Sequence, residues 1–395
     1  MLSVSKLAAS VLPSATLAAG AKARQMKATG IKVYDFSLGE PDFPTPVHIC
    51  QAAEAAMKAG HTHYTPVNGI PELKAAICKW YKSYHNFECT PDQVLVSNGA
   101  KHSIHNALSA TCNPGDEVII PTPYWVSYSD LVQMTGAKAV LVPTTAAAGF
   151  KMTPAQLKAA ITPKSRVVML NSPSNPTGKV YTRAELEALV EVVLGSDISI
   201  LSDEIYEQLT YGDAKPTCIA TLNPKLRERT ITISGASKSY AMTGWRMGWT
   251  VAPKTIIDAM GNIQSQQTSC PSSVSQYALL AALSGPQECV AEMRAEFEKR
   301  RNLTADLLNK IPGITFPMPE GAFYIFFDVS AYFGKSPGGT LIADDVAFCK
   351  YALETAHVNL VPGSAFGAPG FARMSYATSP TEIKGGMESL AKWLA

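Results

Sequence analysis

Between about residues 90 and 285 the chain repeats one pattern: a short β-branched run, a polar or glycine-bearing turn, then a helical stretch. QVLVSNGAKHSIHNALSATCNPGDEVIIP reads as strand, turn, helix, turn, strand, and RVVMLN, ISILSDE and RTITISG are further short strands. Apolar runs of this length separated by helices indicate a parallel sheet covered on both faces. Sheets of this kind bind ligands at the carboxyl ends of their strands. The residues just after those runs are therefore the ones to read for chemistry.

A different pattern follows SGPQE (Ser284 to Glu288). AEMRAEFEKRRNLTADLLNKI has apolar positions at helical spacing, and GAFYIFFDVS, NLVPGSAF and FARMSYA read as strands of a smaller α+β unit. FGKSPGGT (Phe333 to Thr340) between them reads as an exposed loop. At the other end, MLSVSKLAASVLPSATLAAGAK loosely mimics a secretory signal, but Ser10, Pro13, Ser14 and Thr16 interrupt the run. It is far short of a membrane span and reads as an ordered arm.

Composition narrows the function classes. The 395 residues carry 34 basic and 32 acidic side chains, a net charge of +2, with no long run of one sign, so there is no electrostatic footprint for nucleic acid. Small molecules and other protein chains are the expected partners, with no membrane. Eight cysteines (50, 78, 89, 112, 218, 270, 289 and 349) form no CxxC pair, which removes zinc ribbons and thioredoxin-type motifs and fits reduced thiols in the cytoplasm. His61/His63 and His102/His105 lack a supporting acidic or cysteine cluster, so no metal site is expected.

The strand ends carry a consistent set of residues. Asn98-Gly99-Ala100-Lys101 opens a helix after a strand, where unobstructed N–H groups suit a phosphate. Trp125 follows the next strand; it could stack on a flat ring or equally be a half-buried core aromatic. NSPSNPTG supplies Asn175 before a proline, held extended or in a turn with its amide free to donate. SDEIY supplies Asp203 and Tyr206, although a strand-end aspartate is as commonly a helix cap. SGASKSYAMTGWRMGW sets Lys238 among small residues and Arg246 eight positions later. A crowded, desolvated lysine can lose its proton and become a nucleophile. One ligand would use the whole set: an aromatic aldehyde with a ring nitrogen, a phenolic oxygen and a phosphate, which is pyridoxal 5′-phosphate.

With SLGEPDFPTP, HYTPVNGIPEL, PYWVSY, NSPSNPTG, SDEIYE, SKSYAMTGWRMGW and MSYATS in this order, the chain resembles the class I, fold-type I pyridoxal-phosphate aminotransferases. It looks most like the bacterial aspartate aminotransferase branch that also contains prephenate and aromatic aminotransferases. The resemblance implies an α/β fold with a large domain on a mostly parallel seven-stranded sheet (46–285). A smaller α+β domain is built from the chain ends (1–45, arm and part of the small domain, and 286–395). It implies Lys238 as the Schiff-base lysine and proton shuttle, Asp203 on the pyridine nitrogen, and Asn175 and Tyr206 on the phenolic oxygen. Trp125 would stack on the ring. Gly99, Ala100, Ser237 and Arg246 would hold phosphate together with Tyr64 of a second subunit in a homodimer. Arg373 would grip the substrate α-carboxylate beside the backbone of Gly39, with Trp125 and Asn175 also at the substrate.

Three departures stand out. Gly235 occupies the position of a phosphate-binding serine of many relatives, leaving Ser237 or Ser234 to compensate. No arginine lies between Arg246 and Arg294 to take a distal carboxylate from a partner subunit, so Lys101 is expected to do so, with Ser14 or Thr16 assisting. Leu12 stands where prephenate-active relatives would carry a basic residue, which weakens that reading. The expected reaction is ping-pong transfer of an amino group from aspartate to 2-oxoglutarate. The alternatives are an aromatic or prephenate aminotransferase, or a C–S lyase or synthase on the same fold.

Overall fold

The computed structural model describes residues 2–11, 13 and 15–395, without the side chains of residues 15–18. Leu12, Ser14 and the side chain of Thr16 lie outside the described residues, and with them the expected contribution of the arm. Twelve strands are described: β1 (Tyr34–Asp35), β2 (Val94–Asn98), β3 (Glu117–Thr122), β4 (Lys138–Pro143), β5 (Ser165–Asn171), β6 (Ser199–Asp203), β7 (Thr230–Gly235), β8 (Met247–Val251), β9 (Tyr324–Asp328), β10 (Val358–Asn359), β11 (Val361–Pro362) and β12 (Phe371–Ser375).

Seven of them form one sheet in the order β2-β8-β7-β6-β5-β3-β4. Strand β8 runs antiparallel to both neighbours and the remaining pairs are parallel. The two-residue period of a strand explains why these runs are apolar throughout. Val167, Met169, Leu201 and Ile231 face one layer with Ile104, Leu108, Ile257 and Met260, from helices Ala100–Thr111 and Lys254–Gln267. Val168, Leu170 and Ile200 face the other, with Leu186, Leu189 and Val190 of helix Arg183–Leu194. Burying each such side chain contributes about 1.5–3 kcal/mol. That last helix begins where the sequence dictates. Thr182 Oγ1 accepts from the Glu185 N–H at 3.2 Å while Glu185 returns a carboxylate oxygen to the Thr182 N–H at 2.7 Å.

Helix Glu288–Leu308 leads into an antiparallel sheet ordered β11-β12-β9, backed by helix Pro380–Leu394. The stretch expected as one strand, NLVPGSAF, is shorter than that: only Val361–Pro362 pairs with β12, and Gly363–Phe366 is a 3-10 turn. Pro362 offers no N–H to extend the ladder. Strand β10, just before it, pairs instead with β1 from the N-terminal part of the chain. Helix Ala15–Ala28 packs Ala23 against Val33 and Leu353, and Asn359 Nδ2 donates to the Ala19 carbonyl at 3.2 Å. The arm is therefore anchored from this helix onward, whereas helix Lys6–Ser10 buries none of its residues.

Candidate active site

A cavity of about 380 Å³ lies at the carboxyl ends of β5, β6 and β7, closed from the other side by Tyr324 and Arg373 of the C-terminal sheet. Gly39, Ala100, Lys101, Trp125, Asn175, Asp203, Tyr206, Ser237, Lys238, Arg246 and Arg373 all line it. Of the expected residues whose side chains are described, Gly99, Tyr64 and the alternative serine, Ser234, stand apart. Gly99 caps helix Ala100–Thr111 immediately behind the lining, and Tyr64 lies outside, 90% exposed.

Lys238 sits in the four-residue helix Ala236–Ser239 that follows β7, and its Nζ donates to the Gly39 carbonyl at 2.5 Å. Burial lowers its amine to about 8; Glu40 opposes that shift, while Arg246 and Arg373 add to it. An amine in that range supplies the free base a nucleophile needs near neutrality. Asp203 ends β6, 4% exposed, and burial raises its carboxyl to about 6. Hydrogen bonds from Tyr128 Oη (2.5 Å) and the Ile205 N–H (3.2 Å), with Lys238 nearby, keep it from rising further. The site therefore holds a carboxylate of fixed orientation that a cationic ring N–H would complete.

Tyr206 is buried and keeps its proton, since burial and then the neighbouring Tyr324 push the phenol well above its usual value. Asn175 is placed by Asn171, whose Oδ1 accepts from the Asn175 N–H at 2.8 Å while its Nδ2 donates to the Asp203 carbonyl at 2.9 Å. Asn175 Oδ1 then accepts from Arg373 at 3.0 Å. Arg373 is 1% exposed and its second terminal nitrogen donates to the Ser37 carbonyl at 2.6 Å. Its Nε has no partner among the described residues. A guanidinium has five donors, so unused capacity remains for a carboxylate.

The corner expected from the sequence to take a phosphate is built from backbone and two glycines. Gly99 has φ +85°, and a Cβ there would lie 2.5 Å from the Arg246 guanidinium, so glycine lets that cation reach the N-terminus of helix Ala100–Thr111. Arg246 donates to the Thr243 carbonyl at 2.9 Å. At Gly235 a Cβ would meet the Met247 carbonyl at 2.9 Å and the Gly248 Cα at 3.1 Å, so the close approach of β7 to β8 leaves no room for a serine side chain. Of the two candidates to replace it, Ser234 is committed elsewhere, donating to Glu207 at 2.6 Å, whereas Ser237 lines the cavity. Lys101 places its ammonium 4.9 Å from the Trp125 ring centre, and burial and then Arg246 hold its pKa below the ordinary lysine value. The residues present thus fit pyridoxal phosphate: an amine, a buried carboxylate, a phenol, an indole and a cationic helix N-terminus open on one space.

Sequence reading missed Tyr128, Asn171 and Tyr324, which reach the site from separate elements. PYWVSY does contain Tyr128, but only the fold shows that it meets Asp203. Of the histidines singled out in the sequence, His102 Nε2 lies 2.8 Å from Gln267 Oε1 and His105 Nδ1 accepts from Gln267 Nε2 at 3.3 Å. His85, which the sequence did not single out, lies with Glu204 and Glu207 so that the ligand atoms of all three are within 4.8 Å of one another. All eight cysteines are free. Among the described residues no helix is long and apolar enough to cross a membrane.

Residues 31–390 match the family described as aminotransferase class I and II. The chain is 50% identical to the aspartate/prephenate aminotransferase of Cereibacter sphaeroides, over 97% of this chain and 96% of that protein. It is 48% identical to the aspartate aminotransferase of Geobacillus stearothermophilus, over 100% and 99%. Among solved structures, the aspartate aminotransferase of Rhizobium meliloti superposes with a TM-score of 0.96 at 46% identity, covering 99% of this chain and 98% of that one. That of Thermus thermophilus with maleate gives 0.94 at 37% identity, covering both chains fully. The chain belongs to the class I and II aminotransferases, and pyridoxal 5′-phosphate is its cofactor.

Proposed function

We propose that this enzyme transfers the amino group of aspartate to 2-oxoglutarate, working as a homodimer in the cytoplasm. The observation that carries the substrate class is the pair of cations on the cavity wall: buried Arg373, with donors to spare, and Lys101 beside Trp125. A dicarboxylate bound between them would meet a cation at each end. The names of the relatives support the same reading. The homodimer reading rests on Tyr64, an exposed phenol in the part of the sequence expected to serve a second subunit. We divide the chain into a large domain, 46–285, and a small one made of the two ends.

The cofactor, when bound, supplies a protonated aromatic ring able to take up negative charge from the substrate's α-carbon. The chain's residues do the rest. Asp203, ionised at neutral pH and fixed by Tyr128, would keep the cofactor's ring nitrogen protonated. With the cofactor bound, Lys238 would be the base that takes the α-proton, and its flexible stem would let it carry that proton to a second carbon. Tyr206 and Asn175 would orient the cofactor's phenolic oxygen, and Arg373 would hold the substrate carboxylate within reach of Lys238.

A second reading, prephenate as amino acceptor, is favoured by the dual name of the Cereibacter sphaeroides relative. Stopped-flow spectra of the loaded enzyme with aspartate, glutamate and phenylalanine rank the donors, and turnover with prephenate replacing 2-oxoglutarate tests the second reading. Aspartate and glutamate should convert the cofactor fastest. Conversion by phenylalanine alone would overturn the dicarboxylate assignment, and pyruvate or ammonia released without any keto acid would place the enzyme among the lyases.

A further inference from the structure

Tyr324, the first residue of β9, is fully buried in the cavity wall and touches three parts of the site. Its hydroxyl oxygen lies 2.8 Å from Tyr206 Oη. Its ring lies under Arg373, with the guanidinium carbon 4.6 Å from the ring centre. The same hydroxyl sits so close to Gly39 that a Cβ there would be 2.8 Å away, and Gly39 is the residue whose carbonyl accepts from Lys238. The sheet explains the stacking. Tyr324 pairs with Ser375 and Phe326 with Arg373, so Tyr324 and Arg373 are diagonal neighbours on one face.

We propose that Tyr324 is a positioning residue for this reaction, acting on Tyr206 through its hydroxyl and on Arg373 through its ring; this rests on the assignment of Tyr206 to the cofactor's phenolic oxygen and of Arg373 to the substrate carboxylate. The hydroxyl argument is one of proton counting. Each phenol has one proton to donate, and each has the other as its hydrogen-bond partner. When an acceptor oxygen arrives at Tyr206, both bonds can be made in one direction only: Tyr324 donates to Tyr206 and Tyr206 donates outward. A donor that is itself hydrogen-bonded is polarised and bonds more strongly. Tyr324 thereby sharpens the bond that stabilises negative charge on the phenolic oxygen. The ring argument is separate. An aromatic face beneath a guanidinium leaves its edges, where the N–H groups point, to the carboxylate.

Two variants of the loaded enzyme separate these effects, Tyr324→Phe and Tyr324→Leu. The readouts are the pH at which the visible band of bound cofactor changes and the dissociation constant of maleate, an unreactive dicarboxylate. In Tyr324→Phe the band transition should move to higher pH by roughly 0.3–0.6 unit, because the phenolic oxygen loses part of its stabilisation. Maleate affinity should stay within about twofold, since the ring is kept. Tyr324→Leu should show the same spectral shift and bind maleate about 3–30-fold more weakly. An unshifted or lowered transition in Tyr324→Phe overturns the hydroxyl role, and unchanged maleate binding in Tyr324→Leu overturns the ring role. A lower melting temperature with neither change would make Tyr324 a packing residue and overturn both. A wild-type enzyme that shows no cofactor band refutes the site reading itself, and the proposal with it.

Discussion

The turn after β6 sends acidic and phenolic side chains in two directions, and the two groups behave oppositely. Asp203 and Tyr206 open on the cavity. Glu204 and Glu207 meet His85 and each other away from it, with the ligand atoms of all three within 4.8 Å of one another. His85 Nε2 is 2.6 Å from Glu207 Oε2, Ser234 donates to Glu207 at 2.6 Å and Ser202 to Glu204 at 2.8 Å. All of these acids are buried, so burial alone does not distinguish a reactive group from a structural one. The distinction is where the remaining bonding capacity points. Asp203 and Tyr206 keep theirs toward space that a ligand fills. Glu207 is closed by partners supplied by the chain, and Glu204 answers its like-charged neighbour by holding a proton, burial first and then Glu207 raising it to about 8.

The largest effect should come from removing the amine on the open side. Lys238→Ala should lower kcat by about 10⁴-fold, the upper end for a general base, with little change in melting temperature. A loss below about tenfold in single-turnover assays would break the contrast at once. On the closed side the order reverses. His85→Ala leaves buried Glu207 without its His85 hydrogen bond, and removing one partner of a buried pair costs about 3–5 kcal/mol. Urea denaturation should show that loss while kcat of the folded fraction stays within about twofold. A kcat defect matching the loss of stability would mean that the two groups are not separate.

Arg373→Lys comes next. A lysine keeps the charge but loses the planar fork, so KM for aspartate should rise about 10–100-fold, more than kcat falls, as steady-state kinetics would show. The smallest effect is the pH slope of stability. Glu204 is raised from 4.5 to about 8, and His85 is raised above 6.5, burial lowering it but the Glu207 hydrogen bond and the charges of Glu207 and Glu204 together raising it more, so folding takes up protons at both. Their contribution is full below the unfolded values and is lost as pH climbs from 4.5 through about 8. Melting temperature should therefore fall across that window, and Glu204→Gln should flatten the decline. A rise in its place would reverse the assigned protonation states.

The contrast also shows what a sequence makes legible. Lys238, Asp203 and Asn175 could be read because they stand at or just after the ends of apolar strands, where such sheets bind ligands, and Arg246 because it closes the same small-residue motif just before β8. The parallel sheet was legible for the same reason, from runs that must be covered on both faces, whereas its seven strands were an expectation from the family resemblance. The supporting partners were not. Tyr128 meets Asp203 across 75 residues, Tyr206 meets Tyr324 across 118 and His85 meets Glu207 across 122. No local pattern announces a pairing at that distance, because it depends on how separate elements pack. The fate of NLVPGSAF belongs to the same class: its apolar content suits a strand, but which residues pair is settled by Pro362 and by the competing partner β1.

The central claim is that the open side of this turn is built around one lysine. Reducing the loaded enzyme with borohydride fixes the cofactor to the amine that carries it, and mass mapping of the peptides then locates it. The account predicts the added mass on the peptide containing Lys238 and its disappearance in Lys238→Ala. Attachment at Lys101 or at any other lysine, or no attachment at all, would contradict it.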